Sequence, residues 1–278
     1  IYGSFNLRDP NFSNVKSFQL NITNHKNLKN IIGEVNPDII INATALNNVD
    51  YCEEHKDETD EVNVKAVLKL SEISNSLNSK FIHLSTDSVF DGTKKEPYNE
   101  LDNTNPINNY GRSKLCGENE VLKFKNNLVV RASVLYGWLP KSLSSKKTSS
   151  LKQINFAQWL ISKLKLKEKV NITSEEFSSP IISDDFAKSI LHLTLNKKSG
   201  IFHSAPSLCI NRYDFSIQLA NYLNLDPSLI IPTTTEKLGR GVTTAKNKCL
   251  NSTKLINTDF RFLTLNESFE LIKQQMLI

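Results

Sequence analysis

The sequence is poor in cysteine, methionine and tryptophan, and it has no long hydrophobic run. Its 278 residues include four cysteines, one methionine and two tryptophans. No cysteine pair has the Cys-x-x-Cys spacing of a zinc site, and the scattered Cys52, Cys116, Cys209 and Cys249 argue against a disulfide framework. No apolar run approaches the roughly 20 residues of a membrane helix, and no secretion signal opens the sequence. These absences predict a cytoplasmic protein with neither a metal site nor a membrane span.

Positive charge is in modest excess and is spread along the sequence. The net charge is +5, with lysine-rich patches at Lys146-Lys147 and at 163–169. A basic surface attracts nucleic acids and phosphorylated metabolites alike. The sequence lacks the interleaved aromatic and basic residues of single-strand binders. We therefore expect an anionic small molecule as the partner and no nucleic acid, and the sequence leaves a homodimer open.

Short apolar runs alternate with amphipathic stretches in the first half of the sequence. The runs at 38–43, 80–85 and 128–132 resemble strands that are buried on both faces. Helical patterns fit 24–35, 66–77 and 110–124. Strict alternation predicts an α/β fold, a doubly wound parallel sheet with helices on both sides. Ligands of such sheets bind beyond the carboxyl ends of the strands, so the loops after Ala43 and Ser85 are candidate sites.

The pattern becomes looser after Gly137. The serine- and lysine-rich stretch 138–153 is interpreted either as a lid or as an unstructured surface loop. Helical patterns follow at 156–166, 184–195, 212–223 and 266–276. These segments predict a smaller, mostly helical C-terminal lobe.

The clearest chemical motif pairs Tyr110 with Lys114 on one face of a helix. A phenol titrates near pH ~10, and a neighbouring ammonium lowers its pKa towards neutrality. Upstream, Ser85-Thr86-Asp87 follows a strand directly, so a hydroxyl there could bind the carbonyl oxygen that a tyrosine protonates. The plainer alternatives are an exposed tyrosine with a solvated lysine, and a capped turn. The combined pattern favours catalysis, whereas His83, inside an apolar run, is interpreted as a hydrogen-bonded core residue.

Several segments resemble the dTDP-4-dehydrorhamnose reductase family of extended short-chain dehydrogenases. The signature-like segments are Leu84–Thr93, Glu96-Pro97-Tyr98, Asn105-Pro106, Tyr110–Lys114, Gly117-Glu118 and Arg131-Ala132-Ser133. The resemblance covers nearly the whole chain, and it is strongest from Asp38 to Gly137. It implies a Rossmann-like nicotinamide-binding domain at 1–136, to which 183–203 returns. It also implies a sugar-nucleotide lobe at 137–278.

The resemblance further implies a reaction and a role for each matching residue. The reaction is the reduction of a 4-keto group in a nucleotide-linked deoxysugar by NADPH or NADH. Tyr110 would be the proton donor, Lys114 its activator and ribose ligand, and Thr86 the partner of the substrate carbonyl. The remaining cofactor contacts would come from Ala43, Thr44, Ala45, Asn63 and Ser85.

The front of the sequence departs from the family pattern. No glycine-rich turn for the dinucleotide pyrophosphate precedes the apparent second strand at 1–6. We therefore expect the first strand, phosphate loop and first helix of the family to be absent from this sequence. Asn21 stands where an aspartate usually approaches the adenine. Arg8 could neutralise a 2′-phosphate, which favours NADP slightly over NAD.

The predicted sugar pocket, formed by Thr86, Asp87, Ser88, Val134 and Asn247, departs as well. Ser88 replaces a usual tyrosine, and Val134 replaces a usual tryptophan. Thr244-Ala245 stands where the family has Arg-Pro before Asn247. The identity of the sugar therefore stays open. Two alternatives remain: another extended short-chain sugar-nucleotide reductase or epimerase, and a non-catalytic regulator resembling the beta subunit of methionine adenosyltransferase.

Overall fold

The computed structural model describes residues 1–7, 9, 12–139, 154–239 and 241–277. Arg8 and nearly all of the proposed lid segment lie outside these residues. No helix within the described ranges is long and apolar enough to cross a membrane.

A four-stranded parallel sheet forms the centre of the fold. Its strands, in spatial order, are β10 (Gly200–Ser204), β5 (Leu128–Ala132), β4 (Lys80–Thr86) and β3 (Ile39–Asn42). The β-branched and apolar runs predicted β3, β4 and β5 but not β10, and β5 is buried along its whole length. The predicted α/β fold with a parallel sheet is confirmed.

Helices cover both faces of this sheet. On one side Phe81 and Val129 pack against α1 (His25–Val35), α4 (Ala66–Ser76) and α5 (Asn109–Leu122). On the other side the alternate strand residues Ile82 and Val130 pack against α7 (Ser183–Leu195). Because side chains alternate across a strand, neighbouring residues of β4 serve the two opposite layers.

Two further strands form a separate parallel pair, β1 (Tyr2–Phe5) with β2 (Lys16–Gln19). Among the described residues, β1 pairs only with β2, and β3 pairs only with β4. Between β3 and α4 lie two short helices, α2 (Val49–Glu54) and α3 (Lys56–Asp60), and a π-helical turn at Glu61–Lys65.

The C-terminal part surrounds its own apolar cluster, which includes Tyr136, Leu160, Phe215 and Phe269. Its strands are β6 (Leu135–Tyr136), β7 (Val170–Thr173), β8 (Phe177–Ser178), β9 (Ile181–Ile182), β11 (Ile210–Asn211) and β12 (Ile230–Thr233). Its helices are α6 (Phe156–Lys165), α8 (Arg212–Tyr222), α9 (Thr253–Ile256) and α10 (Leu265–Gln275). A capping box between Thr264 and Glu267 begins α10.

The inference that the cysteines form no disulfide is wrong for one pair. Cys209 and Cys249 are bonded, with their Cα atoms 5.4 Å apart, while Cys52 and Cys116 are free. Strand β8 brings the two cysteines together. One of its edges pairs with β11, which directly follows Cys209, and the other pairs with Asn247, two residues before Cys249. Forty residues of sequence separation hid this proximity. The bond also removes the argument from cysteine usage for a reducing compartment.

We expect Cys209→Ser to lower the free energy of unfolding by about 3 kcal/mol, because the bond closes a long loop in the unfolded chain. The measurement is chemical denaturation with and without reductant, and Cys116→Ser is the matched control. Reductant should destabilise the wild type and the control but leave Cys209→Ser unchanged. Equal unfolding of wild type and Cys209→Ser without reductant would contradict the pairing.

Candidate active site

The carboxyl end of β4 meets the first turn of α5 at very short range. β4 ends at Thr86 and continues into a 3-10 turn at Asp87–Val89. A Cβ atom at position 111 would lie 2.1 Å from the backbone oxygen of Ser88, so only glycine permits this approach. The Asn108 side chain caps α5 by accepting the Gly111 N–H. This contact places the motif of α5 directly beside the hydroxyls that follow β4.

Tyr110 and Thr86 come together at this junction. The half-buried phenol lies close enough to the Thr86 hydroxyl for that group to affect its pKa. Desolvation raises the pKa of Tyr110 above its ordinary value, the Thr86 hydrogen bond lowers it, and the nearby Asp87 raises it. The sequence led us to expect a pKa lowered by Lys114. Burial raises it instead, and the Lys114 ammonium contacts His83 and the Leu84 carbonyl, so the phenol stays protonated at neutral pH.

Lys114 is buried, one turn further along α5. Its Nζ donates to the Leu84 carbonyl at 2.7 Å and lies 3.0 Å from Nε2 of His83. Desolvation lowers the pKa of Lys114 to about 8, although the charge of Glu118 acts in the opposite direction. The amine therefore contacts β4 and loses proton affinity because water is excluded.

Two matched pairs join β4 to α5. His83 and Ser85 are two residues apart and lie on the same face of the strand. His83 contacts Lys114, and Ser85 donates to Glu118, four residues further along the helix. His83 is fully buried, as predicted, but its contact with Lys114 was missed. The sequence did contain a signal for this contact: two polar residues spaced two apart on a strand, and two charged residues spaced four apart on a helix.

Glu118 on α5 forms a buried ion pair with Arg131 on β5, next to the site. Its carboxylate accepts from Arg131 on β5 at 2.9 and 2.6 Å, and it also accepts from Ser85. Both charged side chains are at most 2% exposed. The predicted cofactor contact Ser85 thus has its hydroxyl committed to this network.

Asp87 links the turn after β4 to the C-terminal part of the chain. Its carboxylate accepts from Ser133 at 2.8 Å and from Ser88 at 3.2 Å. The Lys248 ammonium lies 3.6 Å away. Lys248 was not singled out in the sequence, because its partner is distant along the chain.

Asn63 holds the loop after β3 against α5. Its amide bonds both backbone groups of Leu46, at 2.9 and 3.0 Å, and donates to Ser113 at 3.0 Å. The residue is fully buried within the π-helical turn. A bracing position beneath the loop matches the predicted one, while its part in cofactor binding remains a prediction.

The other predicted cofactor residues occupy separate positions. Ala43 and Thr44 are exposed and Ala45 is half-buried in the loop after β3, at the same sheet edge as Thr86. Asn21 is exposed after β2, where its side chain accepts from the Thr23 N–H and hydroxyl. The structure therefore groups the loop residues with the site and leaves Asn21 engaged in a turn.

A small cleft beside the turn after β4 is lined by Ser88, Asn108, Thr244 and Lys248, among others. Val134 is half-buried outside this lining, and its carbonyl accepts from the Ile181 N–H. A larger cavity of about 430 Å³ is lined instead by residues near Tyr136 and Leu263. Ser88 and Asn108, which line the smaller cleft, stand two residues from Thr86 and Tyr110 in the sequence.

The amide of Asn247, the last predicted substrate contact, is already engaged. Its nitrogen donates to the Lys94 and Lys95 carbonyls, and its oxygen accepts from the Cys249 N–H. Asn247 therefore ties two loops together, and its contact with substrate remains a prediction.

The described residues fit one half of a nicotinamide dinucleotide. Tyr110, Thr86 and the exposed loop at Ala43–Thr44 share one sheet edge, as a bound nicotinamide and ribose require. No cluster of metal-ligating side chains occurs within the described ranges.

Comparison with known proteins identifies the family. A family model described as the RmlD substrate binding domain matches residues 2–275. The probable low-salt glycan biosynthesis reductase of Haloferax volcanii is 30% identical over 252 residues, covering 90% of this chain and 81% of the relative. The crystal structure of a dTDP-4-dehydrorhamnose reductase from Clostridium acetobutylicum has a TM-score of 0.86 and 25% identity, with 100% of both chains covered.

A second reductase structure, from Bacillus anthracis in complex with NADP, has a TM-score of 0.86 and 24% identity, and covers 99% of this chain and 98% of its own. It shares the fold. Since the family model matches nearly the whole sequence, the protein belongs to the RmlD substrate-binding-domain family, which confirms the resemblance to the dTDP-4-dehydrorhamnose reductases.

Proposed function

We propose that the protein reduces the 4-keto group of a nucleotide-activated deoxysugar with NADPH or NADH, and that Tyr110 donates the proton. The observation that carries the proposal is the proximity of the Tyr110 phenol to the Thr86 hydroxyl, at the carboxyl end of β4, where that hydroxyl lowers the pKa of the phenol. A ketone oxygen bound between these two hydroxyls would be polarised before reduction.

The reduction adds a hydride to the carbonyl carbon and a proton to its oxygen. As the carbon–oxygen double bond becomes single, the oxygen becomes far more basic than a phenolate. Tyr110, kept protonated by burial, then transfers its proton to that oxygen. Thr86 holds the oxygen in place during the transfer, and solvent later returns a proton to the phenolate.

When bound, the reduced nicotinamide supplies the hydride. Its ribose and nicotinamide would lie against Lys114 and the loop at 43–45, braced by Asn63. NADPH is favoured slightly, on the basic residue Arg8 of the sequence and on the NADP bound by the Bacillus anthracis protein. We also infer a nicotinamide-binding domain at 1–136 and a substrate lobe at 137–278. The cytoplasmic location and the homodimer stay predictions from the sequence.

The regulatory alternative predicts a different use of the same fold. A regulator that acts by binding a partner enzyme needs neither a protonated phenol nor a hydroxyl beside it. The junction in this protein keeps both groups, together with the buried Lys114. These retained groups favour the enzyme, although the sugar pocket has small side chains at Ser88 and Val134.

Replacing Tyr110 by phenylalanine should lower kcat for keto reduction at least about 100-fold, since the proton donor is lost. Affinity for the reduced cofactor should stay within about twofold of the wild type, because the ring remains. Steady-state kinetics and fluorescence titration measure the two effects. Tyr222→Phe, which removes a distant hydroxyl bonded to Glu270, is the matched control. Full turnover by Tyr110→Phe would disprove the assignment.

Restoring the family's aromatic residues by Ser88→Tyr with Val134→Trp should shift preference towards the rhamnose precursor. The larger side chains would fill space beside the sugar, and the expected change in relative kcat/KM is about 10-fold. Competition between two 4-keto sugar nucleotides measures this ratio. Each single variant serves as a control, and an unchanged ratio in the double variant would place these residues outside the sugar site.

A further inference from the structure

Lys248 brings a mostly buried ammonium into the small cleft beside the turn after β4. Its side chain is 19% exposed, and it lines the cleft together with Ser88, Asn108 and Thr244. Oδ1 of Asp87 lies 3.6 Å from its Nζ, which makes an ion pair but is too long for a hydrogen bond. Within the described part of the chain, no oxygen accepts a hydrogen bond from this ammonium.

The carboxylate oxygens of Asp87 already have other donors. Oδ1 accepts from the hydroxyls of Thr86 and Ser88, both at 3.2 Å, and Oδ2 accepts from Ser133 at 2.8 Å. Asp87 therefore balances the charge of Lys248 without using its N–H donors. An ammonium has three donors, and polar groups at this depth are normally hydrogen-bonded. The donors of Lys248 are thus available to an oxygen that enters the cleft.

The backbone around Lys248 is held on both sides, so its side chain starts from a fixed point. The Lys248 N–H donates to the Phe177 carbonyl of β8 at 2.9 Å. The preceding Asn247 donates to two backbone carbonyls at 94–95, and the following Cys249 forms the disulfide. A lysine on a free surface loop would lack these restraints. The fold therefore positions this ammonium before a ligand binds.

The position of Lys248 relative to Thr86 indicates which part of a sugar it would meet. The ammonium and the Thr86 hydroxyl both approach Oδ1 of Asp87, so one oxygen atom lies between them. A 4-keto oxygen bound at Thr86 and Tyr110 would bring the neighbouring ring carbons to this side of the cleft. The diphosphate is attached at C1, across the ring from C4. The ammonium is therefore closer to the reacting end of the sugar than to its nucleotide.

We propose that Lys248 binds the hydroxyl on C3, next to the keto group, and so selects 3-hydroxy sugars over 3-deoxy sugars. C3 is the neighbour that can carry a hydroxyl, because C5 already carries the ring oxygen and C6. A 3-deoxy sugar would cover the ammonium without offering it an acceptor, and this loss opposes binding. The inference rests on the proposed function, since it takes the place of the sugar from the junction of Thr86 and Tyr110.

Competition between the 3-hydroxy and 3-deoxy forms of a dTDP-4-keto-6-deoxy sugar measures this selection. We expect the wild type to prefer the 3-hydroxy form about 30-fold in kcat/KM, and Lys248→Met to keep at most about threefold. Lys246→Met removes an exposed ammonium two residues away and should keep the wild-type ratio. A lysine that only balances the charge of Asp87 would affect both sugars equally. An unchanged ratio in Lys248→Met would therefore overturn the proposal.

Calorimetric titration with dTDP and with a dTDP-linked 6-deoxyhexose tests the same contact without turnover. Lys248→Met should weaken binding of the sugar nucleotide about 10-fold and leave that of dTDP within about twofold, which also shows that the variant is folded. An equal loss for both ligands would place Lys248 at the diphosphate and contradict the proposal. A selective loss in a protein that reduces no 4-keto sugar would support the role of Lys248 and refute the proposed reaction alone.

Discussion

The close packing of α5 against β4 is the contact on which the rest of the site depends. Gly111 lets the helix touch the backbone of Ser88, and the pairs His83–Lys114 and Ser85–Glu118 fix its rotation about its own axis. The same rotation brings the Tyr110 phenol to Thr86. Contacts between alternate residues of β4 and residues four apart on α5 thus hold the reactive side chains in defined positions.

Exclusion of water then decides how these groups behave. It raises the pKa of Tyr110 and lowers that of Lys114, so both are biased towards their uncharged forms. Glu118 and Arg131, both nearly fully buried, form an ion pair in which the two charges neutralise each other. A protonated phenol suits the donation of a proton to a reduced ketone oxygen. This arrangement of groups fits the reduction that we propose.

The local sequence predicted the elements and their order well, because apolar runs and helix caps act over a few residues. The strands at 80–86 and 128–132 and the helix beginning near Tyr110 are examples. Contacts across the fold were predicted poorly. The bond between Cys209 and Cys249 depends on strand β8 lying between two distant segments, and the pKa of Tyr110 depends on burial that no spacing reveals. Asn247 was likewise identified, but its engagement with Lys94 and Lys95 was not.

The central claim, that the junction of β4 and α5 is a reducing site, is tested most directly by following the hydride. The protein is incubated with a dTDP-4-keto-6-deoxy sugar and with NADPH or NADH carrying deuterium at the transferred position. We expect an alcohol product with one deuterium on the former carbonyl carbon, detected by mass spectrometry and NMR. Binding of both ligands without any deuterium in the sugar would contradict it.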